Sequence, residues 1–228
     1  MVKYSEKAMF KTPGPSPEGL AWDGEALWIV DDETKKVYRV STKQGKVLKS
    51  FSVVVNEPKG LAWDGSSLWV SDNDRKTIDK VDMKESKIVS EIKAPLPLGE
   101  GPKSLEGLAW DGSYLWSACF AGWSSKLFRL NPRDGSTKLS FFCDCKPKGL
   151  ASNGKYLWSV CYNNEKFPST IDRRVISEKP IEMVKSRSFL IKIPAVKRPS
   201  GLAFDGVNFL VADKATRSVY YVEAKKLG

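Results

Sequence analysis

The stretch GLAWDGSSLWVSD, residues 60–72, decides the fold of this chain because versions of it occur five times. The other copies are GLAWDGEALWIVD at 19–31, GLAWDGSYLWSAC at 107–119, GLASNGKYLWSVC at 149–161 and GLAFDGVNFLVAD at 201–213. Successive copies start 41 to 52 residues apart. A period of this length is typical of propellers and solenoids.

The pattern inside each period favours a propeller. GLAW predicts a short strand, Asp-Gly a tight turn because glycine tolerates positive φ, and LWVS a second strand. Two more strands follow in each of the first four periods. They are predicted at 36–40 and 46–51, 77–81 and 87–92, 126–130 and 137–142, and 170–175 and 188–193. Residues 177–186 are predicted to form an enlarged loop. Four antiparallel strands per repeat make one propeller blade.

The fifth repeat is one strand short, since it stops after a strand at 218–222. A spare strand at 7–11 precedes the first repeat, and we expect it to pair with 218–222 and close the ring. Closure removes the exposed edge of an open array. The sequence therefore predicts an all-β fold, a five-bladed β-propeller formed by a single domain, residues 1–228.

Composition restricts the function. The net charge is +10, but the lysines are spread along the chain, which indicates a solvated rim rather than a nucleic-acid surface. No apolar run is long enough to cross a membrane and no signal-peptide pattern occurs, so we expect a cytoplasmic monomer. The absence of histidine excludes Ser-His-Asp chemistry and histidine-ligated zinc.

The residues immediately before the repeat glycines should form a ring at the mouth of the central channel, since equivalent strand ends meet there. They are Glu18, Lys59, Glu106, Lys148 and Ser200. One interpretation is a structural girdle of ion pairs. The other is a binding site for a zwitterionic or polar small molecule.

The residues that end the second strands are expected at the same end of the ring. They are Asp31, Asp72, Cys119, Cys161 and Asp213. The three aspartates either cap the following turn or point into the mouth and bind the ligand. A carboxylate rim of this kind suits Ca²⁺ or Mg²⁺, but no compact loop motif supports it. We expect no metal and no cofactor.

Seven of the eight tryptophans occupy repeat positions and are predicted to be core. Trp123 lies outside the repeat, in a loop at the mouth end, and Tyr162 follows Cys161 at that end of the next blade. These two rings either form a platform for the ligand or cap the interface between the third and fourth blades.

All four cysteines belong to the third and fourth repeats. Cys119 and Cys161 are repeat-equivalent, while Cys143 and Cys145 lie on the connection between these blades, so we expect the four to converge. Reduced packing thiols, one or two disulfides and a tetrathiolate zinc site are the alternatives.

The repeat resembles that of a broad propeller superfamily that includes the plant/bacterial-type glutamine cyclotransferases, streptogramin lyase-like propellers and NHL-type repeats. Five blades and a channel-mouth site best resemble the cyclotransferases, which convert N-terminal glutamine to pyroglutamate without histidine. Their Phe-Thr-Gln-Gly-Leu entry to the first strand corresponds to residues 16–20, where Glu18 stands at the glutamine position. The streptogramin lyases resemble this chain less, because that family depends on histidine and has more blades.

Three functions follow from these patterns. The first is a propeller that binds a small polar ligand at the channel mouth. The second is a cyclotransferase-like enzyme, with Glu18 or Glu106 as acid or base and Lys59 or Lys148 stabilising negative charge while Trp123 positions the substrate. The third is a scaffold that binds a protein partner. The sequence leaves open whether the chain is an enzyme.

Overall fold

A computed structural model of the chain describes residues 8–96, 103–121, 124–143, 145–163, 166–185 and 188–223, without the side chains of 181 and 188–190. These ranges contain five antiparallel sheets of four strands each. The sheets are the five predicted blades, so the all-β five-bladed propeller is confirmed. Their innermost strands contact one another around the central channel.

The strands follow the repeats in chain order. A separate strand, β1 (Ala8–Lys11), comes first. Blade 1 contains β2 (Pro17–Trp22), β3 (Leu27–Asp31), β4 (Lys36–Val40) and β5 (Val47–Ser52). Blade 2 contains β6 (Pro58–Trp63), β7 (Leu68–Asp72), β8 (Thr77–Asp82) and β9 (Lys87–Lys93). Blade 3 contains β10 (Lys103–Trp110), β11 (Leu115–Ala121), β12 (Ser124–Leu130) and β13 (Thr137–Cys143).

Blade 4 contains β14 (Lys146–Ser152), β15 (Tyr156–Tyr162), β16 (Ser169–Val175) and β17 (Ser188–Ile193). Blade 5 contains β18 (Pro199–Phe204), β19 (Asn208–Asp213) and β20 (Ser218–Glu223). Its fourth strand is β1, which pairs antiparallel with β20 through Phe10 opposite Val219 and Lys11 opposite Ser218. The predicted ring closure is confirmed, although Lys7 of the predicted strand lies outside the described residues.

The turn between the first two strands of a blade is held by its Asp-Gly pair. In blade 2, Gly65 has a φ of 98°, in the left-handed region where a side chain is strained. Asp64 Oδ1 accepts the backbone N–H groups of Ser66 and Ser67 at 2.9 and 2.8 Å, while its Oδ2 accepts the indole N–H of Trp69 at 2.9 Å. The carboxylate thus fixes the turn and orients the buried tryptophan.

Glycine opens each inner strand because neighbouring backbones meet there. A Cβ on Gly60 would lie 2.6 Å from the carbonyl oxygen of Glu106 and from the backbone nitrogen of Leu108 in the next blade. The same relation continues round the channel until Gly201 meets the backbone of Glu18 and Leu20 in blade 1. Only glycine permits this approach, and the contact from the fifth blade to the first closes the circle.

Large side chains fill the spaces between blades. Each of the five buried apolar clusters joins two neighbouring blades, as where Trp28 of blade 1 packs with Leu61 and Leu68 of blade 2. The second-strand tryptophans are at most 4% exposed; they are Trp28, Trp69, Trp116 and Trp158. The prediction that the repeat tryptophans are core is confirmed for these four, and Trp22, Trp63 and Trp110 are half-buried at the channel.

The enlarged loop predicted at 177–186 was wrong in part, because it contains a short helix, α1 (Pro180–Lys185). Proline at the first helical position, Glu182 in the first turn and Lys185 in the last turn are local helix signals. Met183 is fully buried and anchors the helix to the core between blades 3 and 4. In the described part of the chain, no helix has the length and apolar character needed to span a membrane.

Candidate functional site

The residue before each repeat glycine lies at an irregularity in its inner strand. The pairing register shifts at this point in all five blades, for example between Pro58 and Leu61 in blade 2. A bulge of this kind re-aims a side chain. The five ring residues, Glu18, Lys59, Glu106, Lys148 and Ser200, all line one cavity of about 680 Å³, called here the mouth cavity.

Two glutamates of the ring pair with lysines of the following blade. Glu18 Oε1 lies 2.9 Å from Lys59 Nζ, and Glu106 Oε1 lies 2.7 Å from Lys148 Nζ. A second lysine, Lys214 of blade 5, lies 2.5 Å from the same Glu18 oxygen. Ion pairs of the predicted girdle are therefore present between blades 1 and 2, 3 and 4, and 5 and 1, and their residues are called here the floor of the mouth cavity.

Burial and ion pairing act in opposite directions on the pKa values of the charged groups of the floor. Desolvation raises the pKa of Glu18, which is 6% exposed, although the ammonium groups of Lys59 and Lys214 act in the opposite direction. Burial also opposes the charge on Lys59, but the carboxylates of Glu18, Asp32 and Glu57 outweigh it and raise the pKa of this lysine. Glu18 is thus a carboxyl group that takes up a proton more readily than a solvated one.

The three aspartates predicted to bind ligand do not line the mouth cavity. Asp31, Asp72 and Asp213 are fully buried. In blade 5, Asp213 Oδ1 accepts the backbone N–H of Arg198 at 2.8 Å and of Ala215 at 3.1 Å. The turn-capping alternative accounts for these contacts, so the assignment of all three to the ligand site is corrected.

At four of the five second-strand ends, all but that of blade 1, the cavity is lined instead by the residue that follows. Asn73 follows Asp72, Lys214 follows Asp213, and Phe120 and Tyr162 follow the two equivalent cysteines; all four line the mouth. Successive residues of a strand point to opposite faces, so a displacement of one position decides which side chain reaches the cavity. Period-two alternation identifies Phe120 within β11, whereas Asn73 and Lys214 are the first residues of the turns beyond β7 and β19.

The rim of the mouth carries two aromatic rings. Tyr162 lines the cavity where the ligand platform was predicted, and Phe120 lines it as well, with the ammonium of Lys146 5.2 Å from its ring centre. Trp123, the other predicted platform residue, lies outside the described residues. The remaining lining residues, which sequence reasoning missed, come from the connections between blades and their flanks; they are Glu57, Ser104, Pro147, Arg198 and Pro199.

The cysteines do not form one group of four. Cys119 packs in the core between blades 2 and 3, where its thiol donates to the carbonyl of Pro95 at 3.2 Å, and burial raises its pKa to about 12. Cys145 and Cys161 form a disulfide, with the sulfur of Cys143 3.3 Å from that of Cys145. Equivalent second-strand residues face the connection that precedes their own blade, so Cys119 and Cys161 face different connections.

A tetrathiolate zinc site is therefore wrong. The one metal-compatible group within the described ranges combines the disulfide sulfurs of Cys145 and Cys161 with the carboxylate of Asp172. Sulfur atoms joined to each other are not thiolate ligands. The predicted mouth aspartates likewise form no such group among the residues described.

Taken together, the fold and the mouth cavity define a five-bladed β-propeller with a charged pocket at one end of its channel. No protein-family model matches the sequence, and no curated protein matches it. Solved structures do match. Glutaminyl cyclase from Myxococcus xanthus superposes with a TM-score of 0.63 at 11% identity, over 97% of this chain and 93% of that one.

Two further structures extend the comparison. PQQ-bound aldose sugar dehydrogenase from Streptomyces coelicolor gives a TM-score of 0.58 at 14% identity, over 98% of each chain. A catalytically inactive virginiamycin B lyase from Staphylococcus aureus with quinupristin gives 0.54 at 18% identity, over 91% of this chain, which spans only 66% of the lyase. The predicted resemblance to glutamine cyclotransferases and streptogramin lyase-like propellers is confirmed as a likeness of fold.

Proposed function

We propose that this propeller binds a small polar molecule in the mouth cavity. One observation carries the proposal: a cavity of about 680 Å³ is lined by charges of both signs and by the rings of Phe120 and Tyr162. Ligand sites of this size combine a rigid frame with a few oriented polar groups. The blades supply the frame, and the ion pairs at the floor hold the charged groups in place.

The test is a thermal-shift screen of the intact chain against small polar molecules that are negatively charged, neutral or positively charged. A ligand that binds only the folded state raises the melting temperature. Tyr162→Ala should reduce that rise, whereas Phe142→Ala should not, since Phe142 is 64% exposed on β13 and lies outside the cavity. A screen without any Tyr162-dependent stabilisation would contradict the proposal.

A second candidate is a cyclotransferase-like enzyme, and Glu18 is the observation that favours it. A buried carboxyl group at the mouth whose pKa is raised by desolvation can hold or deliver a proton. Lys59 at 2.9 Å and Lys214 at 2.5 Å are placed to stabilise negative charge beside it. Glu106, the other predicted acid or base, is held by Ser104 and Lys148.

Release of ammonia from peptides with N-terminal glutamine tests this second candidate. Turnover that is lost in Glu18→Gln and kept in Glu182→Gln, a change at an exposed site on α1, would support it. Absence of turnover by the wild-type chain over a range of pH would rule it out and leave the binding function unaffected.

A further inference from the structure

The charges around the mouth cavity are segregated by blade. Blades 4 and 5, among the described residues that line the cavity, contribute four cations and no carboxylate; the cations are Lys146, Lys148, Arg198 and Lys214. Blades 1 to 3 and their connections contribute three carboxylates and one lysine; they are Glu18, Glu57, Glu106 and Lys59. The cavity therefore has a basic sector, formed by those four cations, facing an acidic one.

Ser200 lies within the basic sector and is the one uncharged member of the ring. Its hydroxyl is buried and has no hydrogen-bond partner among the described residues. The residue is 5% exposed and lines the cavity. A buried hydroxyl without a partner is uncommon, because leaving it unsatisfied costs about 1–3 kcal/mol. Rotation of the Ser200 side chain about χ1 would turn its hydroxyl into the cavity, where a ligand atom would supply the missing partner.

Two cations of the basic sector have no carboxylate within ion-pair distance in the described part of the chain. Arg198 is exposed and lines the cavity, and its backbone N–H donates to Asp213 Oδ1 at 2.8 Å, which fixes the backbone from which its side chain extends. The ammonium of Lys146 lies 5.2 Å from the centre of the Phe120 ring. Lys148 and Lys214 are each tied to a glutamate at the border of the sector, at 2.7 and 2.5 Å.

We propose that the basic sector is a subsite for an oxyanion, so that the ligand of this propeller carries a carboxylate or phosphate group. The inference deepens the proposed function and rests on it. Arginine and lysine donate charge-assisted hydrogen bonds to oxyanions, and Ser200 adds a neutral donor between them. The remainder of the ligand faces Glu57 and Glu106, which favour hydroxyl or amine donors.

Calorimetric titration of the intact chain tests the subsite with four small probes. Succinate and inorganic phosphate carry oxyanions, while succinamide is neutral and putrescine is cationic. We expect the oxyanions to bind more tightly than the other two, and the better of the two identifies carboxylate or phosphate as the ligand group. Arg198→Gln should weaken that binding at least tenfold and Ser200→Ala about threefold to tenfold.

The control is Lys155→Gln, which removes the same charge from blade 4 at the opposite end of the channel, in the exposed turn before β15. Equal weakening by Lys155→Gln and Arg198→Gln would show diffuse attraction to a basic protein and overturn the subsite. If succinamide or putrescine binds and neither oxyanion does, the subsite proposal is overturned while the proposed function stays intact. Failure of all four probes, together with a negative thermal-shift screen, would overturn both.

Discussion

At the scale of single residues, the aspartate of the Asp-Gly turn holds both the turn and the tryptophan of the second strand in place. In blade 3, Asp111 accepts the indole N–H of Trp116 and the guanidinium of Arg129, both at 2.8 Å. Blade 4 has Asn153 instead. Its oxygen accepts the N–H groups of the turn, and its amide nitrogen is a donor, so Trp158 Nε1 is left without an acceptor among the described residues.

Asn153→Asp should therefore stabilise the protein. The new carboxylate would accept the indole N–H of Trp158, a gain of about 1 kcal/mol in the free energy of unfolding measured with urea. Asp64→Asn makes the reverse change in blade 2, where Asp64 accepts the indole N–H of Trp69 and pairs with Lys80. This substitution should lower the free energy of unfolding by at least the same amount. A neutral effect of Asn153→Asp would show that the orphaned indole has no energetic consequence.

Asp79 on β8 introduces a pH dependence of stability. Burial raises its pKa to about 6, against an ordinary value of 3.8, although the guanidinium of Arg75 lowers it. Between pH 3.8 and about 6, the folded state therefore holds a proton that the unfolded state has released. Stability from this group is fully present below about pH 3.8 and is lost as pH rises through about 6.

Asp79→Asn should remove this part of the pH profile. In the wild-type chain the contribution falls by up to about 1.4 kcal/mol per pH unit between pH 4 and 6. Urea unfolding at several pH values measures the slope in both proteins. Asp134→Asn is the control, because backbone hydrogen bonds from Ser136 lower the pKa of this exposed carboxylate and give a slope of the opposite sign.

At the scale of elements, the last residues of each second strand bond to the connection that precedes their own blade. In blade 2, Asp72 accepts the N–H groups of Asn56 and Glu57 at 2.9 and 3.1 Å. Asp31 and Asp213 do the same in blades 1 and 5. In blade 4 the disulfide from Cys161 to Cys145 occupies this place. Cys145 stands four residues before its repeat glycine, as Asn56 does. The covalent bond thus replaces a hydrogen-bonded clamp.

Loss of this disulfide should destabilise blade 4 by about 2–4 kcal/mol, since it closes a loop with a sequence separation of 16 residues. Dithiothreitol should lower the melting temperature of the wild-type chain and have no further effect on Cys161→Ser. Cys143→Ser keeps the disulfide and should remain sensitive to dithiothreitol. A wild-type chain that is indifferent to reductant would contradict this role.

At the scale of the whole molecule, most of the architecture follows from the repeat, whereas the site follows only in part. The blade count, the closing strand and the ring of Glu18, Lys59, Glu106, Lys148 and Ser200 depend on spacing alone, and spacing is visible in the sequence. The direction of a side chain depends on strand register. Asp72 and Asp213 end their strands, and the first residue of the turn that follows reaches the cavity. Strand alternation does not describe a turn, which explains the error of one position at Asp72 and Asp213.

The separation of basic and acidic residues across the mouth also cannot be predicted from the repeat. Arg198 and Glu57 come from connections of different length between blades, so their meeting in one cavity depends on the closed ring. The repeat predicts the end of the ring at which a side chain lies. It does not predict which residues of the unequal connections that side chain contacts. The cysteines show the same limit, because Cys119 and Cys161 share a repeat position and contact different connections.

The ring itself depends on the close approach of its inner strands, and Gly60→Ala tests this directly. The added Cβ would lie 2.6 Å from backbone atoms of Glu106 and Leu108, which cannot move without opening the channel. We expect a loss of at least about 3 kcal/mol in the free energy of unfolding, or failure to fold. Gly65→Ala is the matched control.

At Gly65 a new Cβ meets nothing within 4 Å, and only the strain of a φ of 98° remains, about 1–2 kcal/mol. Urea unfolding of both variants separates crowding from strain. Equal losses would mean that backbone conformation alone selects glycine here. A larger loss of unfolding free energy for Gly60→Ala would show that the inner strands are in direct backbone contact. The floor of the mouth cavity lies on these strands and would then be rigid.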